Sequence, residues 1–377
     1  MSIGLTGQNL IFLISQPRSG STLLQQMLDK QPDIHTTAEP WTMLHSAYGL
    51  KTNGYEAEYN AQSAWLAVND FIQQLPNQRD SYIEGLRLMH THLYNEALKG
   101  TGCSRFLDKT PRYYHIIPEL HEIFPEATFI FLLRNPLAIA GSVMDTWIKG
   151  KWFKLYKYRA DLVDAPHRLV EGIGLLGDRC LIVNYEQLLL EPDTVVDDIV
   201  QHLNAESSGA SPLVSANAES GHQSILSMDT NQTEKSVPVM VETSVPRKGF
   251  GYKDQKLLFL RGKPDKENMN RWMRHLEHPQ KWRLLNDYYR VLGDETIRSL
   301  GTNPEELKTL LDAYRPSFLR RIFTVSFNWA AKKPSERNAI RYEHYWIKLI
   351  RLFQRQGFIG GLWRSLQKAS GLNASSS

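Results

Sequence analysis

Residues 10–28 read LIFLISQPRSGSTLLQQML, and this stretch decides the fold. The apolar run at residues 10–14 is rich in branched and aromatic side chains, which is typical of a buried β-strand. Residues 22–28 carry apolar side chains at helical spacing and predict a helix. A short loop with a proline and a glycine separates the two, so the stretch predicts a strand, a tight loop and a helix in direct succession.

The same succession occurs twice more along the chain. Apolar runs at residues 128–133 and 181–183 each precede a segment with helical spacing, at residues 137–147 and 195–203. A strand followed by a helix, repeated, favours an α/β fold with a parallel sheet flanked by helices. Ligands of such sheets bind beyond the carboxyl ends of the strands. We therefore expect a ligand site where these strands end.

Length and composition favour one main domain with appendages. The chain has 377 residues, of which 42% are hydrophobic and 22% charged, enough to bury a substantial core. Residues 205–248 are rich in small polar side chains and predict a loop or a partly disordered insertion. We predict a main domain over residues 1–314 and a basic helical C-terminal extension over residues 315–377. Helical spacing beyond residue 268 predicts a buried stripe of Trp272, Leu276, Trp282, Leu285 and Tyr289.

The distribution of charge argues against binding of polyanions by the main domain. The formal net charge is +4, but residues 316–377 hold 11 Lys and Arg against 2 Asp and Glu, so the remainder is net acidic. No nucleic-acid partner is expected, and any anion site must be local. The basic, aromatic tail could lie on an anionic membrane surface, or it could dock on the body or on a second subunit.

Cysteine content and the N-terminal run indicate the compartment. Cys103 and Cys180 are too few for a disulfide framework or a multi-cysteine metal site, which fits a reducing compartment. The first apolar run has no basic segment before it and is too short to span a bilayer, so it indicates a strand and not a targeting signal. We expect a cytoplasmic protein, with peripheral membrane contact as a further option.

The loop at residues 15–22, SQPRSGST, has the composition of an anion cradle. Gly20 allows a tight turn, and the N–H groups of Gly20, Ser21 and Thr22 at a helix start can point at an anionic oxygen. Hydroxyl groups add donors, and Arg18 adds positive charge. The structural alternative is a capped helix start after a proline turn.

The loop also lacks features that one kind of group transfer requires. A nucleotide kinase loop would read GxxxxGK[ST], with an acidic magnesium ligand at a later strand end. Here no Gly-Lys pair occurs. A sulfuryl group in transfer carries less negative charge than a phosphoryl group, so arginine, lysine and N–H donors can suffice without a metal. Metal-free transfer is the simpler interpretation, and a small-molecule kinase is the alternative.

Residues 17–24, PRSGSTLL, resemble the 5′-phosphosulfate loop of the sulfotransferases that use 3′-phosphoadenylyl sulfate (PAPS). The branch that they resemble most includes the tyrosylprotein sulfotransferases and many bacterial sulfotransferases. The resemblance implies a P-loop-like nucleotide-binding fold and transfer of a sulfuryl group from PAPS to an acceptor hydroxyl, with Arg18 in the leaving-group role. The loop residues that it assigns to the donor are Arg18, Ser19, Gly20, Ser21 and Thr22.

Two questions stay open beside this resemblance. The acceptor could be a carbohydrate, a lipid, a peptide or a secondary metabolite, because acceptor-selecting residues usually lie in variable loops. A catalytically silent nucleotide-binding or membrane-docking protein could also keep the same fold.

Residues 129–136, FIFLLRNP, and the following Ser142 are similar to the 3′-phosphate motif of the family. In that motif a strand-end arginine, here Arg134, and a helix serine both contact the 3′-phosphate. A surface ion pair of Arg134 beside an ordinary helix serine is the structural alternative.

Residues 181–188, LIVNYEQL, resemble the family strand that ends in Tyr-Glu-x-Leu. The resemblance implies that Tyr185 contacts the nucleotide, although an aromatic residue at a strand end is as often part of the core. Arg271 precedes a tryptophan, as does a cofactor-contacting basic residue in the family, and this similarity is a suggestion only.

Attack by an acceptor hydroxyl needs a base, because the pKa of a hydroxyl lies far above neutrality. Glu39 is the candidate, since its spacing from Arg18 resembles that of the catalytic pair in tyrosylprotein sulfotransferases. Alternatively, Glu39 pairs with Arg18 to hold the loop, or His35 is the base. Lys109 resembles the lysine of the family's Lys-x-Pro segment, which neutralises charge on the sulfuryl group; a solvent-facing pair with Asp108 is its alternative.

Overall fold

A computed structural model of the chain describes residues 2–51, 58–207 and 266–322, together with residues 324, 326, 327 and 329. Within these residues five strands form one sheet. The strands are Leu10–Ser15 (β1), Ile34–Thr36 (β2), Arg105–Lys109 (β3), Thr128–Leu133 (β4) and Cys180–Asn184 (β5). Their order is β2-β3-β1-β4-β5, and every neighbouring pair is parallel. The predicted parallel α/β sheet is confirmed.

Helices flank this sheet. Within the described residues the α-helices are Ser21–Leu28 (α1), Thr42–Tyr48 (α2), Ala61–Gln73 (α3), Gln78–Leu98 (α4), Ile117–Ile123 (α5), Pro136–Val143 (α6), Ala165–Leu176 (α7), Tyr185–Leu190 (α8), Pro192–Ser207 (α9), Glu267–Asn270 (α10), Pro279–Ser299 (α11), Pro304–Ala313 (α12) and Phe318–Ile322 (α13). The 3₁₀ segments are Pro111–His115, Trp152–Tyr158, Gly177–Arg179 and Arg271–His275, and π-helical turns are Met144–Ile148 and Ala160–Asp164. None of these helices has both the length and the apolarity to cross a bilayer.

The central strand is buried on both faces, which explains why its sequence is apolar throughout. Phe12 packs on one face with Phe106 and Phe129, beneath apolar side chains of α4, α5 and α7. Ile11 and Leu13 pack on the opposite face with apolar side chains of α1, α8 and α9. A further apolar cluster joins α6 to α11. It contains the whole predicted stripe: Trp272, Leu276, Trp282, Leu285 and Tyr289.

The order of the strands creates a switch point beside β1. From β1 the chain places β2 and β3 on one side and then crosses to place β4 and β5 on the other. In open parallel sheets such a reversal opens a crevice beyond the carboxyl ends of the strands. The loop before α1 therefore lies at the place where a ligand site is expected.

Several expectations from the sequence are refined by the structure. The predicted helix at residues 137–147 is α6 followed by the π-helical turn Met144–Ile148. α9 continues to Ser207, into the first residues of the predicted insertion at 205–248, and the rest of that insertion lies outside the described residues. The extension at residues 315–377 is described only as far as α13 and a few residues beyond it, so the domain boundaries stay predictions.

Replacing Phe12 with alanine should lower the free energy of unfolding by about 3–5 kcal/mol, since a large buried ring leaves a cavity. Phe12 is 0% exposed and its ring contacts Tyr113, Phe124 and Phe129. Ile182→Ala is the control in the same sheet, because Ile182 is 52% exposed, and it should cost less than about 1 kcal/mol. Urea denaturation measures both; equal losses would contradict the described core.

Candidate active site

The loop between β1 and α1 turns tightly over the end of the first strand. Arg18 and Gly20 both have left-handed backbones, with φ of 76° and 95°. The Ser19 N–H donates to the Gln16 carbonyl at 3.1 Å, and the Ser19 hydroxyl donates to the same oxygen. The N–H groups of Ser21 and Thr22 stand in the first turn of α1, ahead of the donors that helix bonds use. The loop thus has the conformation that an anion cradle requires.

Gly20 is required by a contact as well as by its backbone. A Cβ at this position would lie 2.2 Å from Cε2 of Tyr185, at the start of α8. The ring of Tyr185 also lies under the guanidinium of Arg134, whose Cζ is 4.2 Å from the ring centroid. Arg134 in turn donates from Nη1 to the Arg18 carbonyl at 3.0 Å. Tyr185 is therefore both a core residue and a support for the loop.

Arg134 follows β4 and retains a donor that the protein does not use. Its Nε is buried and has no hydrogen-bond partner among the described residues. The next residue, Asn135, donates its N–H to Glu186 Oε1 at 3.1 Å, which ties the ends of β4 and β5 together. Burial raises the pKa of the Glu186 carboxyl, and the nearby charge of Arg134 opposes the rise. A buried, unused guanidinium N–H beside the loop suits an anionic ligand.

Arg18 and Ser142, assigned by resemblance to opposite ends of the donor, are in contact here. Arg18 donates from Nε to Ser142 Oγ at 3.3 Å, and its Cζ lies 5.8 Å from the ring centroid of Trp147. Ser142 is on α6, whose first turn is capped by the side chain of Asn135. The cap orients the helix at the end of β4, and the helix brings Ser142 to the loop.

Lys109 and Glu39 form a second group beside the loop. Lys109, the last residue of β3, donates to Glu39 Oε1 at 2.8 Å and to Thr22 Oγ1 at 3.4 Å. Its side chain is 3% exposed, whereas that of Glu39 is 30% exposed. The alternative of a solvent-facing Lys109 is therefore wrong. The pair places a carboxylate and a cation next to the helix start that follows the loop.

The Glu39 carboxylate has Trp41 as a second partner, and the chain that precedes it is fixed by Gln25. Gln25 of α1 donates to Thr36 Oγ1 at 2.8 Å and to the Thr37 carbonyl at 2.7 Å, which fixes the chain as it leaves β2. The indole Nε1 of Trp41 donates to Glu39 Oε2 at 3.1 Å. The rival base His35 lies within β2, where its ring packs edge-on against Phe106.

Asp108 faces away from this group and is satisfied on the other side of the sheet. It is fully buried and accepts hydrogen bonds from the hydroxyls of Tyr94, Tyr113 and Thr110 at 2.7, 2.9 and 3.2 Å. Burial raises its pKa to about 6, although these hydrogen bonds and the charge of Lys109 oppose the rise. Asp108 is therefore a structural carboxyl, whereas the neighbouring Lys109 faces Glu39 and the loop.

Other residues lie at the margin of the site. Arg271 is exposed, and the 3₁₀ segment that it begins packs on α6: a Cβ at Gly141 would lie 2.8 Å from Cδ2 of His275. Trp41 and Arg112 carry no signal in the sequence, because their contact joins segments that are distant in the chain.

In the part of the chain that the structure describes, no group of three His, Cys, Asp or Glu side chains is close enough to hold a metal ion.

Comparison with known proteins agrees with this geometry. The family model described as "Sulfotransferase family" matches residues 10–208. Nodulation protein NoeE of Sinorhizobium fredii (strain NBRC 101917 / NGR234) is 32% identical over 222 residues, which cover 53% of this chain and 51% of that protein. A protein-tyrosine sulfotransferase of Drosophila melanogaster is 26% identical over 215 residues, which cover 52% of this chain and 38% of that protein. The chain thus spans about half the length, or less, of these relatives.

A solved structure was also matched. The sulfotransferase domain of the olefin synthase of Synechococcus PCC 7002 is 19% identical, with a TM-score of 0.37, and the match covers 70% of this chain and 86% of that domain.

Gly20→Ala should destabilise the protein more than the same change at Gly102. Both glycines have positive φ, so both variants bear the cost of a left-handed alanine, about 1–2 kcal/mol. Only Gly20 also meets the ring of Tyr185, since nothing lies within 4 Å of a Cβ at Gly102. The extra overpacking should add about 1–3 kcal/mol to the loss in unfolding free energy. Equal losses in urea denaturation would show that Tyr185 does not support the loop.

Asp108→Asn should change how stability depends on pH. The folded pKa of Asp108, about 6, lies above the ordinary aspartate pKa of 3.8, so the wild type loses stability as pH rises between these values. The asparagine variant has no such group, so the difference in unfolding free energy, wild type minus variant, should fall by roughly 3 kcal/mol from pH 3.5 to pH 7. Denaturation at several pH values measures it. A constant difference would mean that folding does not raise the pKa of this carboxyl.

Proposed function

Because the chain belongs to the sulfotransferase family, we propose that it transfers a sulfuryl group from PAPS to the hydroxyl group of an acceptor. The observation that carries the proposal is the ion pair of Glu39 and Lys109, 2.8 Å long, with Lys109 also touching Thr22 at the start of α1. A base and a cation beside an anion loop are the groups that such a transfer needs.

The residues around the loop fit the anionic donor. The N–H groups of Gly20, Ser21 and Thr22 and the side chain of Arg18 would hold the 5′-phosphosulfate end, and Ser19 would hold the turn through its bonds to Gln16. Arg134, through its buried and unused Nε, would hold the 3′-phosphate together with Ser142, and Tyr185 would support the nucleotide from below the loop. When bound, PAPS supplies a sulfuryl group that moves by in-line displacement, and 3′,5′-ADP leaves.

Each catalytic residue has one part in the reaction. Glu39 accepts the proton of the acceptor hydroxyl as its oxygen becomes the nucleophile, which typically contributes about 10²- to 10⁴-fold in rate. Lys109 and Arg18 balance the negative charge that develops on the loop side of the site, and loss of one such donor typically costs about 10²- to 10³-fold. No step in this scheme calls for a metal ion.

Finer statements about the protein remain predictions. Several relatives are named protein-tyrosine sulfotransferases, and the acceptor of this chain is to be identified among hydroxyl-bearing peptides, sugars, lipids and metabolites. A cytoplasmic location, and contact of residues 315–377 with a membrane or a second subunit, rest on the sequence alone.

Glu39→Gln should keep nucleotide binding and lose transfer. The amide is nearly isosteric with the carboxylate and cannot take a proton, so turnover should fall about 10²- to 10⁴-fold. Binding is measured by calorimetric titration with 3′,5′-ADP. Turnover is measured as radiolabelled sulfate moved from PAPS into a panel that holds a tyrosine peptide, an oligosaccharide, a lipid extract and 2-naphthol.

The control variant is Glu305→Gln, which makes the same chemical change at an exposed position on α12. It should leave binding and turnover unchanged. If the wild type binds no 3′,5′-ADP, the proposed donor is wrong. If Glu39→Gln turns over like the wild type, Glu39 is not the base.

A further inference from the structure

Trp41 has a backbone conformation that a bulky side chain rarely adopts. It precedes α2 with φ of 60° and ψ of 0°, in the left-handed region. This conformation is unfavourable for an L-residue and costs glycine almost nothing. Strained residues of this kind persist only where surrounding contacts hold them, and they concentrate at functional sites. The position therefore calls for a reason that lies in the side chain.

Three contacts hold Trp41 in place. Its indole Nε1 donates to Glu39 Oε2 at 3.1 Å, and its backbone N–H donates to Thr110 Oγ1 at 3.4 Å. The guanidinium of Arg112 lies over the ring, with Cζ 5.4 Å from the ring centroid. The residue is 36% exposed, so burial alone does not account for the position of the ring.

Arg112 is itself fixed from the side of the anion loop. It donates from Nη2 to Asp161 Oδ2 at 2.7 Å, and the Tyr114 hydroxyl donates to the other oxygen, Oδ1, at 2.9 Å. Asp161 is buried, and its carbonyl accepts a hydrogen bond from Gln16 Nε2 at 2.7 Å. Gln16 accepts the two bonds that turn the loop at Ser19. Contacts therefore run without a gap from the loop to the indole.

The two oxygens of Glu39 have different partners. Lys109 binds Oε1 through an ammonium group, which is a point charge on a flexible stem and does not by itself set the plane of a carboxylate. The indole N–H is a single donor on a rigid ring, so it has one direction. A base works only when its acceptor lone pair is within hydrogen-bond reach of the proton that it removes.

We propose that Trp41 is a positioning residue, which sets the orientation of the Glu39 carboxylate toward the acceptor hydroxyl and is held for this purpose by Arg112 and Asp161. The inference rests on the proposed function, in which Glu39 is the base. It adds a residue that acts through Glu39 and a path of contacts that makes the position of the base depend on the anion loop.

Proton–nitrogen NMR of the indole groups tests the contact without any substrate. The chain has nine tryptophans, and the Trp41 cross-peak is identified by its loss in Trp41→Phe. In Glu39→Ala and in Arg112→Ala this cross-peak should move upfield and exchange faster with solvent, because the donor loses its acceptor or its support. The cross-peak of Trp282, which donates to the Leu311 carbonyl, should stay unchanged as the internal control.

Kinetics of Trp41→Phe test the role. Phenylalanine keeps an aromatic ring for Arg112 and removes the N–H, so kcat should fall about 10- to 100-fold, as small misplacements of catalytic groups do. KM for PAPS and the calorimetric affinity for 3′,5′-ADP should stay within about twofold. The acceptor is the member of the panel with the highest turnover. Trp282→Phe makes the same change at a buried position of α11, away from the site, and should leave kcat unchanged.

The outcomes separate this inference from the proposed function. If Glu39→Gln is inactive and Trp41→Phe keeps full kcat, the positioning role is wrong and the proposed base stands. If Glu39→Gln is fully active, the proposed base is wrong, and with it the role of Trp41. If no panel member is sulfated, the NMR result decides: a Trp41 cross-peak that ignores Glu39→Ala and Arg112→Ala overturns the inference.

Discussion

The parallel register of the sheet is the constraint on which the site depends. Lys109 pairs with Leu13, near the end of β1, and Leu132 pairs with Ser15, the last residue of β1. The end of β4 is therefore level with the start of the anion loop, the end of β3 lies two residues before it, and Arg134 directly follows β4. Since all five strands point the same way, each delivers its carboxyl end to one edge. A ligand at that edge meets residues from segments that are far apart in sequence.

The charged side chains of Asp108 and Lys109, at the end of β3, have their partners on opposite faces of the sheet. Successive residues of a strand point to opposite faces, so Asp108 and Lys109 turn away from each other although they are neighbours. Asp108 is satisfied by tyrosine and threonine hydroxyls, and Lys109 by Glu39. An ammonium group that is 3% exposed would be costly without a partner. The burial of Lys109 thus requires an anion beside it, which Glu39 supplies in the absence of any other.

Local patterns predicted β1, β4 and β5, because each contains an apolar run, and the loop, because of its proline and glycine. β2 has only three residues, and β3 has two apolar residues among three charged ones that the fold buries, so neither shows an apolar run. Gly20 was expected from the turn, but the ring of Tyr185 that lies against it comes from the start of α8, which is distant in the sequence. The stack of Arg112 on Trp41 is equally non-local. Sequence could place the candidate residues, whereas the partners that orient them follow from tertiary packing.

The site has one side that is exposed to solvent, called the open side, and one buried side next to the anion loop. Glu39 and Arg112 are 30% and 32% exposed, and with Trp41 they border solvent, whereas Ser19 and Lys109 are buried on the loop side. The loop side is built from strand ends and one glycine loop, which leaves little freedom to vary without loss of the fold. The open side is built from the residues that follow β2 and β3, which tolerate more change. In the proposed function, acceptor choice would therefore vary at the open side, to which Trp41 and Glu39 belong, while the anion loop stays as it is.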